Sequence, residues 1–239
     1  MHTKSLLSGL VKNERLLDLY LRYLRLGWEH YTKKGISSEI KTEKIRLLEK
    51  VIRRGCKLKN NLICQLEQEF LCENLSLYLL LEPLAAWRYS ATNKLPTSEV
   101  QLTDVIGNIS SPLSRFLMVL NDETPSTYLP MQSALTALIL LKMLQDKDAF
   151  LQKIKWRKSR QLSKLRGLCK DGLIILSVVK TKRIKYRLAV LLNRIMCLTE
   201  KYAKNKQPTI ELLDAVRIFV YSTYLFLVTK KRTVTKKGI

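Results

Sequence analysis

The stretch that decides the fold is SALTALILLKMLQDKDAF, residues 133–150. Ten of the fourteen residues from 131 to 144 are apolar, and they lie on nearly every face of a helix. This pattern predicts a helix buried at the centre of a helical domain. The run is shorter than the roughly 20 apolar residues that a membrane span needs. Its polar end leaves two interpretations of Asp146 and Asp148, which either mark the solvent end of the helix or point into a pocket.

The rest of the chain predicts an all-α, single-domain bundle of about eight to ten helices, because no strand-like alternation appears. The bundle is predicted over residues 1–229, with a basic flexible tail over 230–239. Ser38 is the predicted N-cap of the helix over 40–58, and Thr97 or Ser98 is the predicted N-cap of the helix over 100–109. Pro83 is expected to kink or restart its helix, and the segment 153–166 is expected to be a basic linker. The other helices are predicted over residues 14–31, 40–58, 60–71, 75–91, 100–109, 112–120, 165–179, 184–202 and 210–228.

The composition is strongly basic, with 43 Lys and Arg against 20 Asp and Glu and a formal charge of +23. Such an excess attracts polyanions, which include nucleic acid, anionic membrane surfaces and diphosphate ligands. Charge alone does not choose among them. No helix-turn-helix or RNA-module signature is present, so nucleic acid is the less favoured partner. The cationic clusters are residues 41–59, 153–166, 180–187 and 230–237.

The five cysteines are widely spaced and form no CxxC pair, and the chain has two histidines. This pattern favours neither a zinc site nor a disulfide framework, and reduced thiols fit a cytoplasmic location. The first residues, MHTKSLLSGLVKNE, lack the features of a cleavable signal peptide. Peripheral association with a membrane and an organellar presequence both stay open.

Four stretches carry a resemblance to a known family: LLSGLVKNERLLDLYLRYLRL (6–26), LYLLLEPLAAWRYSAT (77–92), QLTDVIGNISSPLSRFLMVL (101–120) and ALILLKMLQDKDAF (137–150). They resemble segments of the squalene/phytoene synthases, the all-helical enzymes that join two prenyl diphosphates head to head. In that family the second stretch usually reads like LLDAFRQD and the last like ALQLTNFLQDVAED. The resemblance implies an isoprenoid synthase-like fold and, in an active member, transfer of prenyl groups with Mg²⁺ as cofactor.

The resemblance also shows which acidic residues this chain lacks. Family members carry two DxxxD-type pairs, whose spacing places both carboxylates on one helical face to hold Mg²⁺. The second motif keeps Asp146, but its partner position is Phe150. The first motif is replaced by WEHYT (28–32), which leaves Glu29. Asp146 and Glu29 are therefore the weak, degenerate metal-ligand candidates.

Three basic residues are the candidates for binding a diphosphate: Arg25, Arg115 and Lys142. Arg25 and Arg115 match positions at which the family carries arginine. Lys142 lies one turn before Asp146, so an internal ion pair between them is the alternative to a half-built metal site. Glu29 can equally be a solvated residue on an amphipathic helix.

Three hypotheses follow. In the first, the chain is a catalytically degenerate squalene/phytoene synthase-like pseudoenzyme that binds a prenyl group or lipid, or assists a protein partner such as an active relative or an assembly complex. In the second, it is a divergent transferase that condenses two prenyl diphosphates in isoprenoid biosynthesis. In the third, it is a basic helical protein that binds a membrane surface or nucleic acid.

Overall fold

The computed structural model describes residues 10–11, 13–32, 36–55, 61–92, 97–124, 127–145, 157–205, 216, 218–220 and 222–223. Within these ranges the regular structure is helical and no residue lies in a strand, which confirms the predicted all-α class. The chain divides into two compact units, Met1–Leu120 and Asn121–Ile239, and each is described by itself. The domain predicted over 1–229 stays a prediction, and the tail over 230–239 lies outside the described residues.

The first unit contains five described helices, and polar side chains fix where three of them begin. The Ser37 side chain accepts a hydrogen bond from the Ile40 N–H, so the N-cap lies one residue before the predicted Ser38. Asn61 and Ser98 cap the starts of later helices. The helices are α1 (Glu14–Thr32), α2 (Ser38–Arg54), α3 (Leu62–Cys72), α4 (Tyr78–Thr92) and α5 (Glu99–Val119).

Aromatic side chains form the centre of the first unit. Tyr20 of α1 stacks on Phe116 of α5 with ring centroids 3.9 Å apart, and Phe70 of α3 stacks on Phe116 at 5.8 Å. All three side chains are fully buried. Rings of this size bury large apolar areas and dominate the energetics of a core, so these residues tie the first, third and fifth helices together.

Helix α4 continues through Pro83, because the hydroxyls of two tyrosines in α1 donate hydrogen bonds to backbone carbonyls that precede the proline. Proline has no N–H, so the Leu79 carbonyl, four residues earlier, loses its helical donor. The Tyr20 hydroxyl donates to that carbonyl at 2.9 Å, and the Tyr23 hydroxyl donates to the Leu80 carbonyl at 2.7 Å. Tyr20 and Tyr23 are three residues apart and therefore share one face of α1.

The expected interruption between Ser110 and Pro112 is wrong, since α5 runs unbroken through both residues. The Ser114 hydroxyl donates to the Ser110 carbonyl at 2.6 Å, and the Ser110 hydroxyl donates to the Gly107 carbonyl at 3.1 Å. Pro112 is itself buried. Burial of this face of α5 against the core outweighs the local penalty that proline imposes on a helix.

The second unit contains α6 (Leu129–Gln145), α7 (Lys158–Ile174), a 3₁₀ turn (Ile175–Val178) and α8 (Lys182–Ala203). Helix α6 is buried on nearly every side, from Met131 to Leu144, which confirms the prediction of a buried helix. Both α7 and α8 pack against it. Gly172 permits this packing, because a Cβ there would come within 2.9 Å of Leu192 and 3.2 Å of Ser133.

The predicted linker over 153–166 is helical from Lys158 onward, so the prediction is wrong for its second half. The reason is a buried stripe on α7 that includes Gln161, Leu165 and Cys169. These residues recur every four positions and lie on one helical face. The opposite face carries the charges that made the segment look like a linker.

Glu123 fixes the start of α8. Its carboxylate accepts a hydrogen bond from the Thr181 N–H, and the Thr127 hydroxyl lies 3.3 Å from its other oxygen. Burial raises the pKa of Glu123, but these hydrogen bonds more than offset burial, so the pKa lies below its ordinary value.

A Glu123→Gln variant is therefore expected to lose about 1 kcal/mol of unfolding free energy at neutral pH. A carboxylate whose pKa is lowered by folding stabilises the folded state above its ordinary pKa, and this contribution is lost as the pH falls through the lowered value. Urea unfolding between pH 7 and pH 3 should show the gap between variant and parent closing on acidification. An Asp104→Asn control, at an exposed site, should show a much smaller gap throughout. A gap that is independent of pH would contradict the role given to the charge.

Candidate functional site

The structure places the candidate residues of the first unit on two helices. Arg25 is exposed on α1. Glu29 lies on the same helix, but its side chain is outside the described part of the structure. Arg115, on α5, is half-buried and donates from Nη1 to the Glu82 Oε1 of α4 at 2.8 Å. The guanidinium proposed to bind diphosphate is thus engaged with a carboxylate.

The candidates of the second unit lie at the end of α6. Lys142 is exposed there. Asp146 and Phe150 lie outside the described residues, so the ion pair between Lys142 and Asp146, like a metal-binding role of Asp146, stays a prediction.

Glu82, Arg115 and Tyr20 form a polar cluster in the aromatic core of the first unit. The Glu82 side chain is 9% exposed, and its Oε2 makes no hydrogen bond among the described residues. Burial raises the pKa of Tyr20 well above its ordinary value, and the nearby Tyr23 and Glu82 raise it further. Tyr20 is therefore a neutral hydroxyl that donates to a backbone carbonyl, and it does not supply an anionic base.

The two candidate metal ligands, Glu29 and Asp146, do not supply two carboxylate pairs for magnesium. Position 150, four residues after Asp146, is a phenylalanine and offers no ligand atom. In the described ranges, no three His, Cys, Asp or Glu side chains gather into a potential metal site.

The buried Cys169 of the second unit is not an activated nucleophile. Burial raises the pKa of the Cys169 thiol to about 12, which keeps it protonated at neutral pH. Cys72, Cys169 and Cys197 are not in disulfide bonds. Cys64 is disulfide-bonded, which corrects the expectation that the cysteines are all reduced. Spacing along the chain did not reveal this, because it says nothing about which sulfur atoms the fold brings together.

The excess positive charge belongs mainly to the second unit. Residues 121–239 hold 25 Lys and Arg against 8 Asp and Glu, a net charge of +17. Residues 1–120 hold 18 against 12, a net charge of +6. A basic region of this size is expected to attract anionic surfaces over distances of about a Debye length, roughly 8 Å at physiological salt.

The chain reversal between α7 and α8, residues 170–183, combines this charge with exposed apolar side chains. We call it the basic turn. Ile174 is 74% exposed and Val178 is 45% exposed, while Leu176 and Val179 between and beside them are buried. The exposed cations of the basic turn are Lys170, Lys180, Lys182 and Arg183.

The basic turn is held by the interior of its unit. The side chains of Leu176 and Val179 are buried and anchor the 3₁₀ turn and the residue after it. The Glu123 carboxylate accepts a hydrogen bond from the Thr181 N–H. Ile174 and Val178 are therefore presented to solvent by an anchored backbone. The sequence predicts the basic cluster over 180–187 and a helix over 165–179, but hydrophobicity alone does not show that Ile174 and Val178 point outward.

No described helix combines the length and the apolar character required to cross a bilayer. No protein-family model matches the chain, and no curated protein matches it.

Proposed function

We propose that this chain is a catalytically degenerate, squalene/phytoene synthase-like protein that binds an anionic membrane surface through its second unit. The observation that carries the proposal is the basic turn, which presents Ile174 and Val178 among four exposed cations. Aliphatic side chains enter the boundary between headgroups and acyl chains, while Lys and Arg contact anionic headgroups. Both contributions come from the same short segment.

The exposed aliphatic residues favour a membrane over nucleic acid. A phosphate backbone is bound by Lys and Arg, and single-stranded bases are bound by stacking on aromatic rings. Ile174 and Val178 supply neither interaction, whereas a bilayer removes both from water.

The degenerate-synthase part of the proposal is supported by the substitutions at the acidic positions. Phe150 stands where a second carboxylate is needed, and Glu29 is the acid kept in the first motif. A fold can persist through burial of its apolar residues after its metal ligands are lost. A bound prenyl chain or a protein partner is compatible with this role.

A Lys180→Gln/Lys182→Gln variant is expected to bind anionic vesicles about 30-fold more weakly than the parent, because each cation near such a surface contributes about 1 kcal/mol. The measurement is co-sedimentation of the full chain with phosphatidylcholine vesicles that contain 30% phosphatidylglycerol. A Lys164→Gln/Arg166→Gln variant, at exposed positions of α7 outside the basic turn, removes the same charge and should lose markedly less affinity. Equal losses in the two variants would show that net charge, and not the basic turn, determines binding.

Three outcomes would overturn the proposal. One is failure of the parent protein to bind anionic vesicles at 0.1 M salt. Another is preferential binding to duplex DNA or RNA, with the steep salt dependence of phosphate contacts. The third is turnover of farnesyl or geranylgeranyl diphosphate with Mg²⁺, which would favour the divergent transferase.

A further inference from the structure

Helix α2 carries two apolar stripes, and one of them faces solvent. Ile45 and Ile52 are buried, and this helix packs against α4. Ile40, Leu47 and Val51 are 52%, 50% and 39% exposed. Their spacings of seven and four residues place all three on one face of the helix. We call Ile40, Leu47 and Val51 the outer stripe.

The charges near the outer stripe are mostly positive. Lys44 and Arg54 are exposed close to the line of the stripe. Glu43, the neighbouring acid, accepts two hydrogen bonds from Arg46 at 2.6 and 2.7 Å. Glu49, on another side of the helix, is bonded by Arg53 and Arg88. Because Glu43 and Glu49 are paired with arginines, Lys44 and Arg54 make the local charge beside the stripe positive.

We infer that the outer stripe is a second membrane-contact surface, on which α2 lies in the plane of an anionic bilayer. This inference rests on the membrane binding proposed for the second unit, but a different unit and different residues carry it. An amphipathic helix with aliphatic residues on one face and Lys or Arg beside them binds the interface between headgroups and acyl chains.

The size of the stripe argues for a bilayer and against a second copy of this chain. A stable protein dimer buries roughly 800 Å² on each partner. Three aliphatic side chains that are already about half covered supply much less than that area. In addition, two copies paired along this face would bring the Lys44 and Arg54 side chains of both copies together, whereas anionic headgroups complement them.

The test compares two variants of the full chain that add the same charge to α2. Leu47→Asp is expected to weaken binding to vesicles with 30% phosphatidylglycerol about tenfold. Thr42→Asp, at an exposed position about 200° around the helix from Ile40, should stay within about twofold of the parent. Leu47→Ser, which leaves the charge unchanged, should lose several-fold. Circular dichroism of each variant should match that of the parent, since the changed residues are exposed.

Salt separates the two surfaces. At 0.5 M NaCl the effect of Lys180→Gln/Lys182→Gln should shrink, because screening weakens charge contacts. The ratio between parent and Leu47→Ser should persist, because insertion of an apolar side chain is not screened. If the parent does not bind vesicles, both proposals fail. If it binds and Leu47→Asp behaves like Thr42→Asp, only the inference about α2 fails. A parent that is dimeric in light scattering and becomes monomeric on Leu47→Asp would also overturn that inference.

Discussion

Replacing Gly27 by alanine is expected to destabilise the protein by at least about 3 kcal/mol, at the upper end of the range for overpacked cores. Gly27 lies inside α1, directly against the indole ring of Trp87 in α4. A Cβ on Gly27 would lie 2.0 Å from Trp87 Cζ2, with two further ring atoms within 2.3 Å. Trp87 is buried and lies edge-on to Tyr23 at 5.1 Å, so its ring has little room to move. Urea unfolding of the full chain measures the effect.

A second helical glycine gives a matched control with the opposite sign. Gly167 lies inside α7, and a Cβ there would meet nothing within 4 Å. Gly167→Ala should therefore stabilise the protein by about 0.5–1 kcal/mol, the usual gain when alanine replaces glycine in a helix. Combining Gly27→Ala with Trp87→Leu should cost less than the sum of the two single changes, because both act on one contact. A neutral or stabilising Gly27→Ala would show that α1 and α4 do not approach as closely as described.

Sequence periodicity predicted the elements whose apolar residues decide their structure. The segment around α6 is apolar on nearly all faces, and only burial satisfies such a helix. The amphipathic spacing of Leu188, Leu191 and Ile195 places them on one face and predicts α8. The apolar pattern of α7 is weak, because its buried stripe consists of Gln161, Leu165, Cys169 and Gly172. The surrounding charges therefore led to the prediction of a linker over the first half of the helix.

The two prolines inside helices show what local sequence could not provide. The donors that satisfy the backbone before Pro83 are Tyr20 and Tyr23, and their acceptors lie 59 and 57 residues away in the chain. Pro112 is stabilised by burial in a core that includes Phe116. In both cases a tertiary interaction overrides a local rule, so reading the neighbouring residues alone predicts a kink or a break.

The candidate site was predictable only in its charge. The cationic cluster over 180–187 was evident in the sequence, and the structure adds the exposed Ile174 and Val178 beside it. Arg115 was selected by resemblance to a diphosphate-binding family, and its ion pair with Glu82 could not be seen from the sequence, because the two residues are 33 positions apart.

An Arg115→Met variant is expected to lose about 2–3 kcal/mol of unfolding free energy. Removing one partner of a buried ion pair typically costs about 3–5 kcal/mol, because the other charge stays buried without compensation. The lower figure applies here because the Arg115 side chain is 34% exposed, although that of Glu82 is only 9% exposed. Methionine preserves most of the apolar stem of the arginine, so the loss reports mainly on the charge. Urea unfolding of the full chain provides the measurement.

The double variant Glu82→Gln/Arg115→Met separates an ion pair that stabilises the fold from an arginine that binds ligand. Without the carboxylate, no uncompensated charge is buried, and the double variant should recover more than half of the lost stability. If Arg115 instead serves to bind a diphosphate, Arg115→Met should leave unfolding nearly unchanged and abolish the heat of farnesyl diphosphate binding in titration calorimetry. Stability that is unaffected by the single change would therefore contradict the ion-pair role and restore the diphosphate hypothesis. A marked loss that Glu82→Gln relieves would assign Arg115 to holding α4 and α5 together, because its Nη1 and the Glu82 carboxylate join those two helices.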